Sequence, residues 1–254
     1  MKRSLLSFSL IISTFILTAE AQKKGRSQIS NKKIATVEKP RGNANMAIVV
    51  DERLAVLRVE PSLYARPFQR MRSGRLVSIS GVREADGVTF YRVVVPPNNY
   101  GWVQSEAVFG KFRHGEDERL ARLIEATDGF EKIERAMLFL ENFPHSPLRP
   151  AVLLLTGDAI EDSASKMSLE ATRRLDRREM TAAGAPLHSF YLNYVSLDRY
   201  RKLGIDFVFN PNTKTFHYDG AVWKEIVSKF SKSSEAAEAQ KRLDSLKEKM
   251  ERTK

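Results

Sequence analysis

The apolar residues of this chain change their spacing once, near residue 112, and that change limits the folds open to it. Before it, short β-branched runs follow one another closely. After it, apolar residues recur three and four positions apart. A strand repeats its faces every two residues and a helix about every 3.6, so neither pattern can serve the other element. Two folded parts are expected, strands over 45–112 and helices over 113–254. Across 254 residues, 42% apolar and 29% charged, the composition supports packed cores rather than wholesale disorder.

Residues 46–50, 55–59, 76–79, 89–95 and 101–103 are the candidate strands. Arg72-Ser73-Gly74, Ala85-Asp86-Gly87 and Pro96-Pro97-Asn98-Asn99 separate them with residues that tolerate left-handed or fixed backbone angles. Five strands in so short a span leave no room for a crossover helix, which predicts antiparallel pairing in a small β-barrel. Four landmarks in this stretch resemble bacterial SH3 (SH3b) domains. They are Arg58-Val59-Glu60-Pro61-Ser62, then Arg72-Ser73-Gly74 leading into Leu76-Val77-Ser78-Ile79, then Phe90-Tyr91-Arg92-Val93, and finally Gly101-Trp102-Val103. The chain departs from that family at Val56, where Asn is usual, and at Glu60, where Gly is usual. The resemblance implies a non-catalytic binding or targeting module on an exported protein, with a cell-wall peptide or an envelope protein as its ligand. Tyr64, Tyr91, Tyr100 and Trp102 are the candidate groove residues, since aromatic faces at a barrel rim hold a peptide at small entropic cost. The competing role for Tyr91 and Trp102 is to fill the core.

Beyond residue 112, Leu120, Leu123, Ile124 and Thr127 mark one helical face, and Phe130, Ile133, Met137 and Leu140 a second. Trp223, Ile226, Val227 and Phe230 mark a third. Ala236, Ala239, Leu243, Leu246 and Met250 form a seam on the last helix, which Ser233 or Ser234 would cap. Phe143-Pro144-His145-Ser146 and Phe230-Ser231-Lys232-Ser233 share an aromatic-x-x-Ser turn between two amphipathic helices. This is similar to the hairpins of tetratricopeptide-like (TPR-like) repeats, placed near 128–165 and 219–252. The two turns lie 87 residues apart, far from the regular period of about 34. Between them, Pro186 is expected to open a helix that Gly204 ends, and 207–209 and 215–218 to form a β-hairpin insertion around Asn210-Pro211-Asn212. Its aromatic residues either line a binding surface or cover the neighbouring helix. The expected fold class is thus multi-domain β + α: a small SH3-like β-barrel followed by a mainly α-helical, irregular TPR-like domain with a β-hairpin insertion.

Lys2 and Arg3 precede an apolar run over 5–17, and Ala19-Glu20-Ala21 follows, the layout of a cleavable secretory signal over 1–21. Without a cysteine at the cleavage site lipoprotein attachment is excluded, so a periplasmic or secreted destination is expected. The absence of Cys also excludes disulfides, thiol catalysis and thiolate metal sites. Residues 22–44 carry seven Lys or Arg against Glu38 alone, a net +6 out of +11 for the whole chain. They read as a basic flexible linker that could contact an anionic polymer or membrane surface. Nucleic acid is not expected as a partner.

Catalytic signals are sparse. His114 with Glu116, Asp117 and Glu118, His217 with Asp219, His188-Ser189, and Ser163 with Lys166 are the clusters present, and none has the partner motifs of an enzyme class. No catalytic residue, no metal and no cofactor are assigned. The chain reads as an exported, non-catalytic binding or adaptor protein of the bacterial cell envelope. A peptidoglycan hydrolase or its accessory subunit, and a self-assembling structural subunit, are the alternatives.

Overall fold

The computed structural model describes residues 45–97, 99–174 and 187–251. The expected leader over 1–21, the linker over 22–44, Asn98 and Pro186 lie outside the described residues. Seven strands come first: β1 (Met46–Val49), β2 (Val56–Arg58), β3 (Pro67–Arg70), β4 (Leu76–Ala85), β5 (Val88–Val95), β6 (Asn99–Gln104) and β7 (Val108–Phe109). They form one antiparallel sheet in the order β3-β2-β6-β5-β4-β1-β7. Asp86 and Gly87, both at positive φ (53° and 74°), make the two-residue turn from β4 to β5, a geometry that matches the twist of paired strands.

Ala47, Val49, Leu57, Val77, Ile79, Tyr91, Val93, Val95, Val103 and Val108 meet in one core, so the sheet coils around its own inner face. Among the described residues no pairing joins β3 to β7, and the expected barrel is not closed by hydrogen bonds. Both ends explain this. Pro67 removes a donor from β3, and in β7 the Val108 carbonyl accepts instead from Arg119 Nη2 at 2.7 Å. These two strands are also the ones the sequence pattern did not mark.

The helical part consists of α1 (Glu116–Glu125), α2 (Gly129–Asn142), α3 (Arg149–Arg174), α4 (Leu187–Leu192), α5 (Asp198–Arg201), α6 (Ala221–Lys229) and α7 (Glu235–Glu251), with a hairpin of β8 (Phe207–Asn210) and β9 (Thr215–Tyr218). The α2–α3 and α6–α7 turns are bonded alike. Phe143 N–H donates to Phe139 O and Ser146 N–H to Phe143 O; Phe230 N–H donates to Ile226 O and Ser233 N–H to Phe230 O. Ser233 does not cap α7 through its side chain, because its buried Oγ has no partner. The backbone closes that turn instead, through Ala236 N–H to Ser233 O. The aromatic hairpin and the helical segment before it form core rather than binding surface: Tyr191, Tyr194 and Tyr200 of the segment and Phe216 and Tyr218 of the hairpin are buried, and Tyr191 stacks on Phe209 at 4.7 Å.

Sheet and helices share a third core. Ile48, Val50 and Phe109 turn away from the strand core and pack with Leu120, Ile124, Ala136, Phe139, Phe143 and Val152. Each of these Ile, Val, Leu and Phe side chains, where fully buried, contributes about 1.5–3 kcal/mol. A buried ion pair crosses the same seam: Arg135 of α2, 3% exposed, donates from Nη2 to Asp51 Oδ2 at 2.8 Å and also binds Glu131 and Thr127. Arg119 adds a cation over the Phe109 ring, 3.7 Å from its centroid, while Glu116 binds both Arg113 and Arg119.

Removing one member of the Asp51–Arg135 pair leaves the other only partly compensated, by Arg53 for Asp51 or by Glu131 for Arg135. Arg135→Met alone is expected to cost about 1–3 kcal/mol in denaturant unfolding, because Asp51 keeps Arg53, and Asp51→Leu with Arg135→Met should recover part of the loss. Inside the helical part, a Cβ on Gly157 of α3 would overlap the Trp223 indole, 2.6 Å from Cε2. Gly157→Ala should therefore lower the midpoint of thermal unfolding, by about 1–3 kcal/mol of overpacking, although alanine is the better helix former.

Candidate functional site

Strand alternation sorts the four predicted groove residues. Along β5, Tyr91, Val93 and Val95 enter the core and Arg92 and Val94 face out. Along β6, Val103 enters the core, and Tyr100 and Trp102 lie on the outer face. The register sets Trp102 opposite Arg92 on one side and Arg58 on the other, and Tyr100 opposite Val94. The Arg92 guanidinium carbon lies 5.7 Å from the Tyr100 ring centroid. The outer face thus carries two arginines interleaved with two aromatic rings.

Tyr100 is 64% exposed and Trp102 half-buried. Tyr91 is 1% exposed, lies edge-on to Phe112 at 5.4 Å, and belongs to the core rather than to a groove. Burial pushes its hydroxyl pKa upward, so it stays neutral. Tyr64 is 90% exposed, on a loop fixed by Asp86, whose Oδ2 accepts from Ser62 Oγ at 2.6 Å and Leu63 N–H at 2.8 Å. These bonds, Ser62 first and Leu63 second, hold the Asp86 carboxyl below its ordinary range. Tyr64 therefore sits by the start of β5, while Tyr100 lies opposite its end.

Two contributors were not legible in the residue pattern. Phe68 of β3, 43% exposed, lies against Gly101, where a Cβ would fall 2.9 Å from two of its ring carbons. Arg58 donates from Nη1 to Ala65 O at 2.8 Å and so shapes the β2–β3 loop, and its buried Nε lacks a partner. Arg92 on this face, and Arg66 and Arg70 at β3, carry no carboxylate partner among the described residues. Only the pairing of β2 and β5 with β6 assembles these groups, so no single run of sequence displays them.

The other clusters are structural. Glu116 is the buried partner of two arginines, and Asp117 accepts from Ser146 Oγ at 2.6 Å. Ser163 donates to Ala159 O and Lys166 pairs with Asp162, so the Ser-x-x-Lys spacing brings no reactive pair together. Side chains at 187–189 lie outside the described residues. Asp219 accepts from Ala221 N–H at the start of α6, apart from His217. Among the described residues, no group of three His, Asp or Glu could hold a metal.

His217 does belong to a polar row. Its Nδ1 lies 2.9 Å from Glu161 Oε1 and its Nε2 2.9 Å from Thr215 Oγ1. The row has the residue types of a hydrolase triad, but its members are committed elsewhere. Thr213 engages the Thr215 hydroxyl at 2.6 Å, and Glu161 also accepts from Lys249 Nζ and Tyr218 N–H, each at 2.8 Å. With Ser168 Oγ accepting from Phe216 N–H, Glu161 satisfies the strand edge that β9 turns toward α3. The row fastens hairpin, α3 and α7 together.

Burial pushes the Glu161 carboxyl up, but bonds from His217, Lys249 and Tyr218 outweigh it and hold the pKa below its ordinary value of 4.5. A carboxyl depressed in the folded state stabilises the fold above its unfolded pKa, and that stabilisation is lost as pH falls through the folded value. Thermal unfolding followed from pH 7 to pH 3 should show a steep acid limb, shallower in Glu161→Gln, which starts less stable. This chain matches no protein-family model, no curated protein and no solved structure.

Proposed function

We propose that this protein is an exported, non-catalytic binding or adaptor protein of the bacterial cell envelope. Its sheet is an SH3b-like module that holds a cell-wall peptide or an envelope protein, and its TPR-like helices contact a second protein. The observation that carries the reading is the outer face of β5 and β6, where Arg58, Arg92, Tyr100 and Trp102 are set side by side by strand register. Aromatic faces supply contact area at low entropic cost, and guanidinium groups without internal carboxylates favour an anionic ligand. A stem peptide with free carboxylates meets both requirements. The two similarly bonded helical turns support the TPR-like assignment. The leader pattern supports export, with the basic segment over 22–44 raising the local concentration at an anionic wall.

Incubation with purified peptidoglycan should pellet the protein without releasing soluble fragments. Trp102→Ala and Arg92→Ala should each weaken pelleting roughly tenfold, and Tyr64→Ala much less. Release of fragments would make the protein a hydrolase, and failure to pellet would remove the cell wall as ligand.

A further inference from the structure

A second surface lies where the sheet meets the helices, away from the aromatic face. Two cavities of about 590 and 500 Å³ open there, and Ser73 and Glu134 line both. The larger has an apolar floor of Met137, Leu138, Leu153, Leu203 and Val222. Glu52, Glu131, Glu134, Glu141 and Glu225 stand around the pair.

Existing ion pairs account for only some of these charges. Arg149 is held by Glu225, and Arg53 and Arg135 by Asp51 and Glu131. Glu134 and Glu141 have no hydrogen-bond or ion-pair partner among the described residues, and Glu52 accepts only from Ser73 N–H. Lys202 is the one lining cation left without a carboxylate. On a chain of net charge +11, the cleft is locally acidic. Arg135, 3% exposed, lines the smaller cavity but is committed to Asp51, Glu131 and Thr127, and its unpaired Nε is sealed within the wall.

We propose that this cleft binds a lysine-bearing peptide segment of a partner protein. The aliphatic stem of a lysine lies on the apolar floor, and its ammonium meets Glu134 and Glu52. A carboxylate ligand is disfavoured by the three uncompensated acids, and a purely apolar one would bury them unpaired. Burial, then repulsion from Glu52 and Glu131, raises the Glu134 pKa above the ordinary value, and the pull of Arg199 and Arg135 does not offset them. Inter-element clefts with an apolar floor and a few convergent polar groups are where ligands usually sit.

The test uses the full-length chain and a short fluorescein-labelled peptide of alternating leucine and lysine. Fluorescence anisotropy should show saturable binding that weakens as salt rises. Acetylating the lysines, or replacing Glu134 with Gln, should each weaken it roughly tenfold. Thermal unfolding of Glu134→Gln shows whether the variant is folded. A diazirine-bearing version of the peptide, cross-linked to the unaltered chain, provides an independent measure and should label Met137, Leu138 or Leu203. Absence of binding, equal binding of the acetylated peptide, unchanged binding by a folded Glu134→Gln, or cross-links confined to other surfaces would each overturn the proposal.

Discussion

Burial of β1 on both faces is the constraint on which the rest depends. Ala47 and Val49 close the strand core while Ile48 and Val50 enter the core shared with the helices, so one strand is a wall of two compartments. A strand covered on both sides must lose its polar alternation, and 46–50 reads Met-Ala-Ile-Val-Val. The chain then runs from β1 through Val50 into Asp51, whose carboxylate is committed to Arg53 and Arg135. Apolar contact thus supplies most of the attraction at this seam, and the ion pair fixes where the two parts sit. The first is nondirectional and the second is not.

α2 performs a similar double duty. Ile133 faces the helical core, and Ala136 and Phe139 face the seam. Stability and site geometry are therefore coupled: the acidic cleft exists only because α2 is held against the turn that carries Ser73 and Gly74. The outer face of β5 and β6 depends on the seam less directly, since its geometry follows from strand register and from the Asp86 clasp on the β2–β3 loop. The two surfaces also differ in charge, with unpaired arginines on the sheet face and unpaired carboxylates in the cleft.

Strand and helix content was legible because period-two and period-3.6 patterns arise from local geometry. The five marked runs all contain strands, and each of the three helical faces has buried members, Leu120 and Ile124, Ile133, and Trp223 and Ile226. The missed strands show the limit of that signal. β3 begins with Pro67 and carries Gln69 and Arg70, and β7 has two residues, so neither contains enough alternation to register. The aromatic residues of the hairpin had two readings, and only packing against α3, α4 and α5 assigns them to the core. Tyr91 and Tyr100 illustrate the same point for the site. Both are tyrosines in strands of the same sheet, and one is buried while the other is exposed because the pleat points them to opposite faces.

Composition by itself determined that this chain cannot rely on disulfides or thiol chemistry, and local periodicity determined where strands give way to helices. Tertiary structure decided that the sheet ends stay unjoined, that sheet and helices share a core, and that Arg58 and Arg92 flank Trp102. It also decided that Glu161, His217 and Lys249, distant in sequence, form one fastening. The reason is physical. Backbone preference and amphipathic spacing act over a few residues, whereas register, burial on a second face and the pairing of charges depend on which distant segments meet.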